Sequence, residues 1–129
     1  MFSGYSQPKK TNYTLNITVT NFANTEGVLR VCITDQKDDF LDGCLFSKII
    51  SIEGETVSLS FESLKEGVYA VSVYHDENNN GVLETSGLFG LPSEPFGFSE
   101  NPSMAFGPPS FKKSAFKVNA DKNIIIKLK

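Results

Sequence analysis

The sequence has few of the residues that metal, nucleic-acid and membrane sites require. It contains no tryptophan, one histidine and two cysteines among 129 residues. One histidine excludes a metal site built on several imidazoles, and two cysteines alone cannot complete a tetrahedral zinc site. Arg30 is the single arginine, and the net charge is −3. A nucleic-acid partner is therefore not expected, because it would need clustered positive charge.

Long apolar runs are also missing. No stretch approaches the roughly 18 apolar residues of a membrane-spanning helix. Residues 1–12 are polar and lack the apolar core of a signal peptide, so we expect a disordered tail there. Residues 13–129 are expected to form one domain.

Lysines are concentrated at the end of the chain. Residues 112–129 carry six lysines and one acid, a net charge of +5, which leaves −8 for the other residues. We interpret these lysines as lining the solvent face of the last strands, where charge protects a sheet edge from unwanted pairing. The alternative is a binding site for an anionic partner.

Alternation of apolar and polar residues dominates the rest of the sequence, with many β-branched residues. This period of two is typical of half-buried strands, and no segment of ten or more residues shows a helical stripe. The pattern therefore predicts an all-β fold, a sandwich of two sheets. The seven predicted strands cover residues 13–19, 28–34, 46–52, 56–61, 68–75, 114–118 and 124–128.

Residues 76–113 interrupt this pattern. Loops longer than about 15 residues are uncommon in compact domains and are usually functional or disordered. Phenylalanine and proline are abundant here, which favours an ordered, irregular excursion that packs on the sandwich. Its aromatic residues either form a small core of their own, which we favour, or line an apolar or sugar-stacking cleft. The residues considered for that ligand surface are Phe96, Phe98, Phe106 and Phe111.

The excursion begins with a pattern of oxygen-bearing side chains at alternate positions, D-x-N-x-N-G-x-L-E. This spacing resembles the first part of an EF-hand calcium loop, in which glycine at position 6 allows a sharp turn. Position 12, normally glutamate, is Gly87, so a true EF-hand is excluded, and a weaker calcium site is expected. The alternative is a polar turn without an ion. The predicted ligands are Asp76, Asn78, Asn80, the Val82 carbonyl and Glu84.

His75 gives only weak support for catalysis. Adjacent strand residues point to opposite faces, so Asp76 is not placed to orient His75 in a Ser-His-Asp triad. The sequence also lacks a G-x-S-x-G nucleophile motif. A hydrolase that uses His75 is therefore the least favoured alternative.

A series of short motifs resembles the DUF2141 family of small bacterial proteins of unknown function. The series comprises His75 to Gly81 (HDENNNG), residues 89–92 (FGLP), 96–99 (FGFS) and 106–111 (FGPPSF). The resemblance implies an Ig-like or prealbumin-like sandwich and export to the periplasm or the extracellular space. It carries no established activity, substrate or catalytic residue.

The two cysteines fit either a disulfide or two buried free thiols on their number alone. Because some relatives carry a cysteine pair at similar positions, the resemblance favours a disulfide between Cys32 and Cys44.

Taken together, the residues and the resemblance predict an exported, non-enzymatic binding or interaction module. We expect a monomer whose 76–84 loop is stabilised by Ca²⁺ and whose partner is a protein or glycan of the cell envelope. The alternative is a carrier of small molecules or glycans with an aromatic-lined pocket.

Overall fold

The computed structural model describes residues 12–35, 44–77, 79, 85–86, 91–92, 95–102 and 111–129. Within these ranges, no helix is long and apolar enough to cross a membrane. The described residues form ten strands and one short helix. Their bounds are β1 Asn12–Thr20, β2 Val28–Thr34, β3 Phe46–Ser51, β4 Thr56–Lys65, β5 Gly67–Asp76, β6 Thr85–Ser86, β7 Leu91–Pro92, β8 Phe96–Phe98, α1 Phe111–Ser114, β9 Phe116–Val118 and β10 Lys122–Lys127.

Two sheets pack face to face. One has the strand order β10-β1-β4, in which β1 is parallel to β10 and antiparallel to β4. The other has the order β3-β2-β5-β8, and β9 pairs with the first residues of β5. The predicted all-β sandwich is therefore confirmed. The closer likeness to Ig or prealbumin domains stays a prediction.

The core lies between the sheets and follows the predicted alternation. In β1, Leu15, Ile17 and Val19 are buried while the residues between them face outward. Leu29 and Ile33 of β2 are also fully buried and belong to the same hydrophobic cluster. Strands with a period of two bury one face and leave the other to solvent, so the sequence pattern assigns these faces correctly.

Part of the excursion returns to the sheet. β8 pairs with the middle of β5, and Phe96 also exchanges backbone hydrogen bonds with Lys129 at the end of the chain. Gly97 allows this close approach, since a Cβ there would lie 2.6 Å from Cγ2 of Ile126. β8 and the C-terminal residues thereby close one side of the sandwich.

Asn101 covers the outer edge of β10. Its side-chain amide donates to the Ile125 carbonyl at 2.9 Å and accepts from the Lys127 amide at 2.9 Å. A single side chain thus replaces a neighbouring strand. The lysines of residues 112–129 are exposed, except Lys122, which is half-buried, in agreement with a solvent-facing role.

The predicted strand at 114–118 begins later than expected. Residues 111–114 form a helical turn, and the strand starts at Phe116. The turn is held by Ser99, whose hydroxyl donates to the Ser114 carbonyl at 2.5 Å. The same hydroxyl accepts from the Val71 amide at 2.9 Å, so Ser99 ties the turn to β5. This long-range bond has no sequence signal.

Candidate functional site

The two residues at the end of β5 face opposite sides of the sheet. His75 pairs with the buried Leu29 and points into the core, whereas Asp76 pairs with Val28 and lies on the outer face. Because adjacent strand residues alternate between the two faces of a sheet, Asp76 was not expected to orient His75. The structure separates the two side chains in the same way.

His75 has no accessible surface. Its Nε2 donates to the Glu26 carbonyl at 2.5 Å, and its ring packs edge-to-face on Phe22 with 5.5 Å between centroids. Among the residues that the structure describes, Nδ1 has no hydrogen-bond partner. Because a catalytic base must reach its substrate, this fully buried ring argues against the hydrolase alternative.

Asp76 is also fully buried, and its charge is balanced within the chain. Its Oδ2 accepts from Nε of Arg30 at 2.6 Å, and the Arg30 side chain is 24% exposed. Nη2 of Arg30 donates to Oδ1 of Asn79 at 3.0 Å. The Asn79 amide in turn donates to the Asp76 carbonyl at 3.2 Å. Arg30 therefore joins β2 to the first turn of the excursion.

The segment before β2 supports this turn. Asn24 donates from Nδ2 to Oε2 of Glu77 at 2.8 Å and accepts from the Glu26 amide at 2.9 Å. Gly27 has a φ of 65°, and a Cβ there would lie 1.9 Å from the Asp76 carbonyl oxygen. Only glycine fits this contact. No sequence motif links these residues to Asp76 and Glu77, so their support of the turn was not predicted.

The predicted calcium loop lies only partly within the described residues. Asp76 is placed as above, whereas Asn78, Asn80, Val82 and Glu84 lie outside them. Across the described part of the chain, no three His, Cys, Asp or Glu side chains come together as metal ligands. Calcium binding thus stays a prediction.

The predicted disulfide is confirmed. Cys32 on β2 and Cys44 just before β3 are bonded, with 5.4 Å between their Cα atoms. The bond lies near the end of β2, on the outer face of the sheet, since Cys32 pairs with Ser72 on the side opposite the core. It fixes the start of β3 beside β2.

A groove lies close to this disulfide, where β5 begins. Its volume is about 600 Å³, and three apolar side chains on its wall are unusually exposed: Leu45 (43%), Phe46 (48%) and Val68 (47%). The polar residues of the wall include both charge signs. The remaining lining residues are Asp35, Ser63, Lys65, Glu66, Gly67 and Tyr69.

Two backbone and side-chain features shape the groove. Ser63 has a φ of 63° and lies where β4 contains an irregularity in its register with β1. The Tyr69 hydroxyl donates to the Lys65 carbonyl at 2.6 Å. Burial raises the pKa of Tyr69, and the nearby Asp35 carboxylate raises it further. Tyr69 is therefore a neutral, fixed part of the wall at ordinary pH.

The predicted aromatic surface does not coincide with this groove. Phe98 is 6% exposed and its ring packs edge-to-face on Phe96, 5.8 Å between centroids. Phe111 is half-buried in α1, and Phe106 lies outside the described residues. None of the three described phenylalanines lines the groove. The residues that do line it had no motif by which the sequence could identify them.

Comparison with known proteins gives one result. The family described as "Uncharacterized protein conserved in bacteria (DUF2141)" matches residues 17–127. This match confirms the resemblance that the short motifs indicate. No curated protein and no solved structure matches the chain.

Proposed function

Since the chain belongs to the DUF2141 family of uncharacterized bacterial proteins, we propose that it is a non-catalytic binding module with its ligand site in the groove beside the disulfide. One observation carries this proposal: Leu45, Phe46 and Val68 line a single groove and each keeps more than two fifths of its surface exposed. Single exposed apolar residues are common on proteins, but apolar residues grouped at one concave surface mark binding sites.

The chemistry of the groove favours a small amphiphile. Its volume of about 600 Å³ falls within the range of ligand sites, roughly 300–1,000 Å³. The apolar part of the ligand would lie against Phe46 and Val68. Its polar end would face Asp35 and Lys65, which offer an acceptor and a donor.

Octyl glucoside is a suitable probe, because it combines an apolar chain with an uncharged hydroxyl-bearing group. We expect amide signals of Phe46, Val68 and Tyr69 to shift in NMR spectra during titration below the micelle concentration. Val68→Ser should weaken binding several-fold, because it removes apolar surface from the groove wall.

Ile125→Ser is the matched control. Ile125 is a similarly exposed β-branched residue, 63% accessible, but it lies on β10 and does not line the groove. The proposal predicts unchanged binding in this variant. Equal weakening in both variants, or shifts spread evenly over the surface, would contradict a ligand site in the groove.

The proposed location is the periplasm or the extracellular space. The support is the disulfide between Cys32 and Cys44, since disulfides persist mainly in oxidising compartments. Fractionation of bacterial cells that express the protein from its complete native reading frame would test this location. Recovery of the protein with reduced thiols in the cytoplasm would contradict it.

We further propose that Ca²⁺ binds the 76–84 loop and holds its first turn in place. The observation in favour is the tight turn after Asp76, where Asn79 has a φ of 52° and bonds back to the Asp76 carbonyl. Arg30 already bonds to Oδ2 of Asp76, so the guanidinium and a calcium ion would compete for this carboxylate. Arg30→Gln should therefore increase calcium affinity.

Thermal unfolding with EDTA and with millimolar Ca²⁺ tests this second proposal. A ligand present at ~100 times its Kd adds about 2.7 kcal/mol, which is several degrees for a domain of this size. Asp76→Ala should abolish the calcium-dependent rise. If calcium does not raise the melting temperature of either the native protein or Arg30→Gln, the loop is a polar turn without an ion.

A further inference from the structure

β3 is an edge strand with unusual exposure. Every residue from Phe46 to Ser51 is exposed except Ile50, which is half-buried. Ile49 is 60% accessible. β3 pairs with β2 along one side only, and within the described residues its other side has no backbone partner.

Edge strands are usually protected from further pairing by charge, proline, bulges or covering segments. The β10 edge has such protection in Asn101, which bonds to Ile125 and Lys127. β3 contains one charged residue, Lys48, and no proline.

Lys48 does not protect the β3 edge. It shares the face of Ile50, which packs against the core. Its Nζ lies 5.2 Å from the centroid of the Phe61 ring and donates to the Ser60 carbonyl. Lys48 therefore reaches across the open side of the sandwich to β4.

We propose that this edge binds a second copy of the chain, with the two β3 strands antiparallel about a two-fold axis. The two five-stranded sheets would then form one continuous sheet. Pairing through one edge on each copy closes after two chains. This proposal differs from the monomer expected from the sequence.

The side-chain pattern selects the register. If the two-fold axis is perpendicular to the sheet, each residue of β3 lies opposite a residue of the other copy on the same face of the sheet. The axis therefore passes through one residue of β3, and that residue lies opposite its own copy. An axis at Lys48 would oppose two like charges, which is unfavourable. An axis at Ile49 opposes two exposed apolar side chains, and places Lys48 opposite Ile50 and Ser47 opposite Ser51.

The contact is small, because only one short strand from each copy takes part. Stable interfaces bury about 1,200–2,000 Å², so we expect a weak dimer that forms as the concentration rises. Sedimentation velocity over about a hundredfold range of concentration should show the mass change from one chain toward two. Ile49→Lys should remove this change and keep the native circular dichroism spectrum, since Ile49 faces solvent.

Cross-linking through a cysteine on the axis tests the register. Under mild oxidation, Ile49→Cys should form disulfide-linked dimers faster than Ile125→Cys, the matched control of equal exposure on β10. The cross-linking rate of Lys48→Cys tests the competing register, in which the two-fold axis passes through residue 48. Peptide mapping without reduction should show the native bond between Cys32 and Cys44 intact in each variant.

A single-chain mass at all concentrations, with cross-linking of Ile49→Cys no faster than that of Ile125→Cys, would overturn the proposal. Faster cross-linking of Lys48→Cys than of Ile49→Cys would overturn the register. Val68→Ser lies outside the β3 edge and should dimerise normally, so ligand binding and dimerisation can fail independently.

Discussion

Arg30 offers the sharpest test of how the excursion is anchored. Arg30→Gln removes the hydrogen bonds to Asp76 and Asn79 and leaves the Asp76 carboxylate buried without this cation. Removing one partner of a fully buried ion pair costs about 3–5 kcal/mol; because the Arg30 side chain is 24% exposed, we expect ~2–3 kcal/mol here.

The assay is urea unfolding at pH 7 with EDTA present, so that calcium does not contribute. In thermal unfolding under the same conditions, a loss of this size corresponds to a decrease in melting temperature of roughly 6–15 °C for a domain of this length. Arg30→Lys should recover part of the loss. Lysine keeps the charge but cannot reproduce the fixed geometry of the two guanidinium bonds.

A double-mutant cycle separates the ion pair from other effects of each change. Asp76→Asn keeps the shape of the side chain and removes its charge. If Arg30 acts through Asp76, Arg30→Gln should cost less in the Asp76→Asn background, with a coupling energy of about 1 kcal/mol or more. A single-variant loss below ~0.5 kcal/mol, or additive losses, would refute the reasoning.

Three other predictions test the closed side of the sandwich and the groove wall. Gly97→Ala should destabilise the fold by about 1–3 kcal/mol in urea unfolding, because the added Cβ meets the buried Ile126; an unchanged midpoint would contradict this packing. Asn101→Ala should increase hydrogen exchange at the Lys127 amide, its backbone partner, and exchange at the native rate would mean that Asn101 does not protect this edge. The raised pKa of Tyr69 means that its neutral hydroxyl stabilises the fold. This contribution of Tyr69 to stability is complete below about pH 10 and is lost as the pH rises through the folded-state pKa. Tyr69→Phe should therefore lose less stability than the native protein between pH 9 and 11, and parallel losses would contradict the assignment.

The sequence predicted the strands because their alternation is a local property. Residues 28–34 were assigned as a strand with the bounds that β2 has. The short strand β8 was missed, since Phe96 and Phe98 lie among glycine and proline and span only three residues. Its position depends on Gly97 fitting against Ile126, a contact between segments distant in sequence.

The candidate site was harder to predict for the same reason. Asp76 was identified from its motif, but its partner Arg30 lies 46 residues earlier and belongs to no pattern. Oxygen ligands at alternate positions indicate a cation, and they do not distinguish a calcium ion from a guanidinium group. Gly27 likewise has a local turn signal that says nothing of the 1.9 Å approach to Asp76.

The alternation of apolar and polar residues does not show whether a strand lies at the edge of its sheet. Edge position nevertheless determines which surfaces can bind. The sequence predicted both β2 and β3 as strands, yet β2 lies between two strands and β3 has one described neighbour. The β10 edge is covered by Asn101. On the opposite side of the sandwich, the Lys48 side chain bonds from β3 to β4. Phe46 and Ile49 of β3 are exposed. Both proposed contacts, the groove and the β3 edge, therefore involve the side of the sandwich that none of the described strands closes.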